Sequence, residues 1–371
     1  MEKRRWHAHY DPEVPTSIEY PEVPLTYFLE RSAHKYPHRP CTIFKGATIT
    51  YREMVALTDR LAAGLVELGI SKGDRVGILM PNTPEFVIAY FGILKAGGVV
   101  VATNPMYTGR EIQYQVDDSG MTMMMVDNNY YQQVKKVQAE TELHRLIVTS
   151  IKETLPPPRS KKKTSSAEKQ SADRGKLEDD DLWMADLLAS HRPEDIAELE
   201  IRPDDRAIFQ YSGGTTGTPK AAIGLHRNLV ANTLQLSRWI SVAVEGEAVV
   251  LMAIPLYHVY GMVCGMNFAL AKAAALVMVP DARDVEDLAN NVEKYRATIF
   301  PGVPALFSAI NNHPTVQAGR YDLSSIKACI SGSAPLMRKT KETFETLTGG
   351  VVFEGYGLSE APTATHCNPL K

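Results

Sequence analysis

From Arg75 onward the chain alternates short apolar runs with segments of helical length, and this alternation limits the fold more than any other feature. Arg75–Met80, Val99–Ala102, Met121–Val126 and Leu146–Thr149 are the apolar runs. Between and after them, helical patterns span 84–95, 111–118 and 130–140. Thr83 is placed to cap the first of these helices, with Pro84 at its first position and Glu85 beside the positive end of its dipole. Unbroken apolar strands alternating with helices imply a parallel sheet covered on both faces. Met121 and Met123, Met124 and Met125 are core filler on this reading.

Upstream, Ala47–Tyr51 reads as a strand, and Met54, Leu57, Leu61, Leu65 and Leu68 form one stripe of a helix that stops at Gly69. Residues up to Arg39, with a helical pattern near Leu25–Lys35, are expected to lie over the surface of the larger body. Downstream, residues 152–181 break the rhythm with three prolines, three lysines and three aspartates in short runs. Such a composition buries too little apolar surface to offset ordering, so a flexible surface insert is expected.

The alternation then resumes. Helices are expected at His226–Ile240, Val285–Tyr295 (capped by Asp284), Pro304–Asn311 and Met337–Leu347. Strands are expected at Ala207–Tyr211, Val249–Ala253, Thr298–Phe300, Ile326–Ile330 and Val351–Phe353. Residues 248–279 approach the apolarity of a membrane span, but Pro255, His258, Asn267 and Lys272 interrupt them. A buried strand, a loop, a buried helix and a second strand account for them better.

The rest of the composition is ordinary for a globular chain of more than one domain: 371 residues, 44% hydrophobic, 22% charged and a net charge of −3. There is no basic excess to suggest nucleic acid as a partner. Cys41, Cys264, Cys329 and Cys367 are scattered without metal-ligand spacing, which suits free thiols in a reducing compartment. The basic N-terminus lacks the apolar run of a signal peptide.

Three stretches following expected strands carry chemistry-bearing residues. The first is YSGGTTGTPK, Tyr211–Lys220. Its glycines free backbone N–H groups to turn toward an anion, its hydroxyls add donors, and Lys220 adds a positive charge. Each hydrogen bond to a charged oxygen contributes roughly 1.5–3 kcal/mol, so several together suffice to hold a polyphosphate. A merely solvated loop shares this composition. An ordinary P-loop does not, because the spacing G-x-x-x-x-G-K-[ST] fails and Ala221 follows Lys220. The second is GYGLSE, Gly355–Glu360, either a simple turn or a site where a flat base stacks on Tyr356 while Glu360 holds Mg²⁺ through oxygen. The third is SGSAPL, Ser331–Leu336. His258, in PLYHVYGM, is either a core histidine or a pocket residue.

YSGGTTGTPK resembles the phosphate loop of the adenylate-forming enzymes (acyl-CoA synthetases, luciferases and peptide-synthetase adenylation domains). SGSAPL and GYGLSE resemble two further segments of that family, and Asn104-Pro105 after LKAGG matches another. DLSSIKACISGSAPL, LTGG and EGYGLSE are most similar to bacterial long-chain fatty-acid–CoA ligases. The resemblance implies an α/β fold of two packed parallel-sheet subdomains, with the site between them. Residues 1–50 would pack on the second subdomain, 51–205 would form the first, and 206–371 the second, carrying the nucleotide and acyl loops.

The resemblance also implies roles for individual residues. Ser212, Gly213, Gly214, Thr215, Thr216, Gly217, Thr218 and Lys220 would meet phosphate, and Gly332, Ser333, Ala334 and Pro335 would wall the adenine. Gly355, Tyr356, Gly357 and Ser359 would contact nucleotide, Tyr356 by stacking and Ser359, where Thr is commoner, through its hydroxyl to the α-phosphate. Lys220, Thr216, His258 and Glu360 are the implied catalytic residues; Glu360 is also the metal ligand and His258 lines the acyl pocket. ATP, Mg²⁺ and coenzyme A are the implied cofactors and co-substrates, with a fatty acid activated first to acyl-adenylate and then to acyl-CoA. An aryl-CoA ligase, another adenylation domain or a non-catalytic nucleotide-binding fragment are the alternatives. The expected location is cytoplasmic, with no transmembrane span and at most transient contact at the inner membrane face. The family's TGD motif, hinge and C-terminal domain with its lysine do not occur before Lys371, so an incomplete ligase, poor in both half-reactions, is expected.

Overall fold

The computed structural model describes residues 4–150, 175–178, 180–196, 198–212 and 217–371. Most of the expected insert, 152–174 and 179, therefore lies outside the described residues, as do Gly213, Gly214, Thr215 and Thr216 of the phosphate-type loop.

In chain order the strands are β1 (Pro40–Phe44), β2 (Ala47–Thr50), β3 (Arg75–Leu79), β4 (Val99–Ala102), β5 (Met123–Asp127), β6 (Arg145–Thr149), β7 (Leu182–Trp183), β8 (Arg206–Ser212) and β9 (Lys220–Leu225). They continue with β10 (Val249–Met252), β11 (Ala275–Met278), β12 (Ile299–Gly302), β13 (Ala328–Ser331), β14 (Val351–Leu358) and β15 (Ala361–Cys367). One sheet has the order β7-β6-β5-β3-β4-β8-β9 and the other β15-β14-β13-β12-β10-β11-β1-β2. Every neighbouring pair in the first sheet is parallel except β8–β9. In the second, only the outermost pairs β1–β2 and β14–β15 are antiparallel.

The apolar runs explain this arrangement. β4 (VVVA) and β5 (MMMVD) are buried at every position, as a strand covered on both faces requires. The four methionines are all core residues. The helix Pro84–Lys95 is buried along its whole length and belongs to the largest core cluster, which draws on both sheets. Asn82, three residues past β3, joins the sheets directly. Its Nδ2 donates to the carbonyls of Met252 and Ile254 (3.2 and 2.9 Å), and its Oδ1 accepts from Leu256 N–H at 2.8 Å.

Several expectations need correction. Thr83 occupies the cap position of Pro84–Lys95, but its side chain makes no capping bond; Pro84, which has no N–H, stands at the first turn. Asp284 does cap its helix, accepting from Asp287 N–H at 3.0 Å. Residues before Arg39 are not merely surface cover: Leu25, Phe28 and Leu29 are buried, and Leu25 N–H donates to His226 Nδ1 at 3.1 Å. The last residue of the expected insert is fixed in place. Asp181 is buried and accepts from Leu146 N–H (2.8 Å), Tyr131 Oη (2.9 Å) and Lys135 Nζ (2.9 Å).

The chain changes sheet after Leu225, not at 205/206, because Ile208 and Phe209 of β8 pair with Val100 and Val101. β1 and β2 lie in the second sheet. The apolar 248–279 stretch is β10, a loop, a π-helix (Gly261–Asn267) continued by a short α-helix (Phe268–Ala271), and β11. Among the described residues no helix is long and apolar enough to cross a membrane.

Candidate active site

β8 and β9 form a hairpin in which Ser212 faces Lys220, so the phosphate-type stretch bridges two antiparallel strands rather than leading into a helix. Gly217 has φ +113°, a conformation that side-chain-bearing residues rarely adopt, and Thr218 and Lys220 are exposed. Ser212 Oγ donates to Glu360 Oε1 at 3.0 Å across 148 residues of sequence. That bond joins the phosphate-type hairpin to the GYGLSE segment, and with it the first sheet to the second.

GYGLSE is not the loop expected. Gly355–Leu358 continue β14 and pair with β15, with Tyr356 opposite His366, and only Ser359 and Glu360 turn. Gly357 is required by close approach: a Cβ there would stand 1.8 Å from the carbonyl oxygen of Thr363. Asn232 holds the start of β15, its Oδ1 accepting from Thr363 N–H (2.8 Å) and Ala364 N–H (3.1 Å). Tyr356 presents its ring to solvent, 66% exposed, as a stacking platform must.

His258 lies in the loop after β10, where Tyr260 N–H donates to its Nδ1 at 3.4 Å. Its ring opens to solvent while protein crowds it from behind, and that desolvation pulls its pKa below the usual imidazole value. Tyr260 Oη lies 2.8 Å from the carbonyl of Ile330 and 3.0 Å from that of Gly302. Its ring packs on Gly332, where an added Cβ would come within 3.1 Å. Ser333 follows with a left-handed backbone, φ +71°. Leu336 N–H donates to Glu354 Oε1 at 2.9 Å, fastening the segment that holds Ala334 and Pro335 to β14.

These residues converge. A cavity of about 260 Å³ is lined by His258, Tyr260, Gly332, Ser333, Gly355, Tyr356, Gly357 and Ser359 among others. Ala334, Pro335 and Glu360 are outside its lining. Glu360 lines an adjoining cavity of about 1070 Å³, with Trp6, Tyr10 and Trp239, and the two share Leu236, Ala364 and Cys367. The smaller cavity opens at the carboxyl ends of β10, β13 and β14, where α/β sheets bind ligands.

Among the described residues no three His, Cys, Asp or Glu side chains gather to hold a metal. A single carboxylate beside a serine hydroxyl fits Mg²⁺, which keeps several waters and takes most of its protein contact from one or two carboxylates. Asn82, Asn232 and Tyr260 were not singled out from sequence. Only Tyr260, two residues after His258, carried a signal, as an aromatic inside an otherwise recognisable motif.

The chain belongs to the AMP-binding enzyme family, whose match covers residues 29–371. It is 35% identical over 368 residues to a long-chain-fatty-acid–CoA ligase of Bacillus subtilis, covering 99% of this chain and 65% of that protein. It is 30% identical over 358 residues to 4-coumarate-CoA ligase 1 of Narcissus pseudonarcissus, covering 93% and 59% respectively. Its fold matches the crystal structure of a long-chain-fatty-acid-CoA ligase from Archaeoglobus fulgidus with a TM-score of 0.81 at 24% identity, over 97% of this chain and 69% of that one. The chain thus spans about 65% of the length of the Bacillus relative.

Proposed function

We propose that the chain takes part in ATP-dependent activation of a fatty acid to acyl-adenylate and then to acyl-CoA. The observation that carries this reading is the Ser212–Glu360 hydrogen bond, which joins the phosphate-type hairpin to GYGLSE beside the His258–Tyr356 cavity. In the first step a carboxylate oxygen bonds to the α-phosphorus of ATP and pyrophosphate leaves; in the second the sulfur of CoA bonds to the acyl carbon and AMP leaves.

Tyr356 stacks the adenine, with Gly332 and Ser333 of the same cavity beside it, and Ala334 and Pro335 continue that segment beyond the cavity lining. Ser212, Thr218 and Lys220 hold phosphate oxygens, as do Gly213, Gly214, Thr215, Thr216 and Gly217 of the same stretch, and Ser359 meets the α-phosphate. His258, kept largely neutral by its crowded setting, faces the acyl carboxylate as a hydrogen-bonding group that adds no charge. Glu360 is the residue that would hold Mg²⁺, whose positive charge offsets that of the departing pyrophosphate. The four free cysteines suit a reducing compartment such as the cytoplasm.

The test is ATP–pyrophosphate exchange driven by added acid. Exchange stimulated by fatty acids of ten or more carbons, roughly, and not by benzoate or 4-coumarate supports the reading. Stimulation by aryl acids alone would favour an aryl-CoA ligase, which the similarity to the coumarate enzyme keeps in view. Exchange with neither, together with no saturable binding of Mg²⁺-ATP, would sink both.

A further inference from the structure

The helix Gly109–Ser119 turns two side chains, four residues apart, toward the phosphate-type hairpin, and neither belongs to any of the three motifs. Tyr114 Oη donates to the carbonyl of Pro219 at 2.7 Å, immediately before Lys220. Asp118 Oδ2 accepts from Tyr211 Oη at 2.6 Å, immediately before Ser212. The Tyr114 and Tyr211 rings meet edge-on, centroids 6.4 Å apart at 84°.

The helix can serve as a fixed reference because it is itself held at both ends. Thr108 and Glu111 form a reciprocal capping box, Gly120 closes the other end in the left-handed region, and Ile112 and Val116 are buried beneath. β9 has the opposite character. Among the described residues it is the last strand of its sheet and pairs only with β8. Tyr114 ties the residue that leads into this strand, Pro219, to the helix. Desolvation, helped by the neighbouring Asp118 carboxylate, keeps the Tyr211 hydroxyl protonated and therefore a donor.

We infer that Tyr114 and Asp118 are positioning residues for nucleotide phosphate: together they fix the separation and orientation of Ser212 and Lys220. This rests on the activation reaction proposed above, and the experiment separates the two. Mg²⁺-ATP is titrated calorimetrically into the parent chain and into Tyr114→Phe, Asp118→Ala and Asp118→Asn. Amide exchange over 210–222 and thermal unfolding are measured on the same samples.

Tyr114→Phe keeps the ring packing and loses the hydroxyl that bonds Pro219 and neighbours Asp118. It and Asp118→Ala are expected to weaken ATP about 3- to 10-fold, the range for loss of one hydrogen bond. Both should speed exchange near Ser212 and Lys220 while shifting the melting temperature by no more than about 2 °C. Asp118→Asn retains an acceptor for Tyr211 and should stay near the parent. Unchanged exchange overturns the anchoring whatever ATP does. Faster exchange with unaltered affinity, or affinity lost only in step with melting temperature, overturns its role in nucleotide placement. If the parent binds no ATP yet exchange still quickens in the two variants, the anchoring stands and the activation reaction fails.

Discussion

His226 makes the stability of this chain depend on pH in a direction that can be worked out. Its ring is 1% exposed at the start of the helix His226–Trp239, and Nδ1 accepts from the N–H of Leu25. Burial pulls its pKa down from 6.5 to about 4, with Asp205 opposing and Lys72 reinforcing the change. The unfolded chain therefore takes up a proton as pH falls through about 6.5, while the folded chain refuses it until about 4. Stability from this group is complete above 6.5 and declines as pH drops through that window.

At 1.36 kcal/mol per pH unit the full loss is about 3 kcal/mol, and between pH 7.5 and 4.5 it is on the order of 2.5 kcal/mol. Urea unfolding followed by the fluorescence of Trp6, Trp183 and Trp239 reads it, comparing the parent with His226→Gln. Gln offers Leu25 an acceptor but does not titrate, so the variant should lose about 2.5 kcal/mol less than the parent over that pH interval. Equal pH dependence in the two proteins would refute the reasoning.

Three further substitutions test the site's framework. Gly357→Ala drives a methyl into the Thr363 carbonyl and should open the β14–β15 hairpin; the check is a loss of about 2 kcal/mol or more in urea unfolding, since the backbone on both sides must shift. Asn82→Ala removes three bonds between the sheets and leaves the Ile254 carbonyl and the Leu256 N–H without that partner; a cost of about 2–4 kcal/mol is expected, and a value under 1 would mean that Asn82 does little to hold the two sheets together. Tyr260→Phe leaves the Ile330 and Gly302 carbonyls without their hydroxyl partner; about 1–3 kcal/mol should be lost, with no change if water replaces the hydroxyl.

The central strands were legible because a strand buried on both faces must be apolar at every position, as VVVA and MMMVD are. Three strands at or next to the sheet edges were not. β1 (PCTIF), β9 (KAAIGL) and β15 (APTATHC) mix polar and small residues and owe their state to backbone pairing with a neighbour. Gly355 and Gly357 read as turn residues, whereas Gly357 is set by the approach of Thr363, a constraint that exists only once the chain has folded. Asp181 looked like part of a solvated acidic run until Leu146, Tyr131 and Lys135 closed on it. The motif residues were visible by type, and the bonds joining them, Ser212 to Glu360 and Asn82 to Met252, Ile254 and Leu256, were not, because sequence separation says nothing about which loop tips meet.

The most direct test is calorimetric titration of Mg²⁺-ATP into the parent, Lys220→Ala and Glu360→Ala. A single working site built from the hairpin and the β14–β15 turn predicts saturable binding by the parent, weakened about tenfold or more by each change, as expected for loss of a charged contact. Binding that ignores both substitutions, or no binding by the parent, would contradict it.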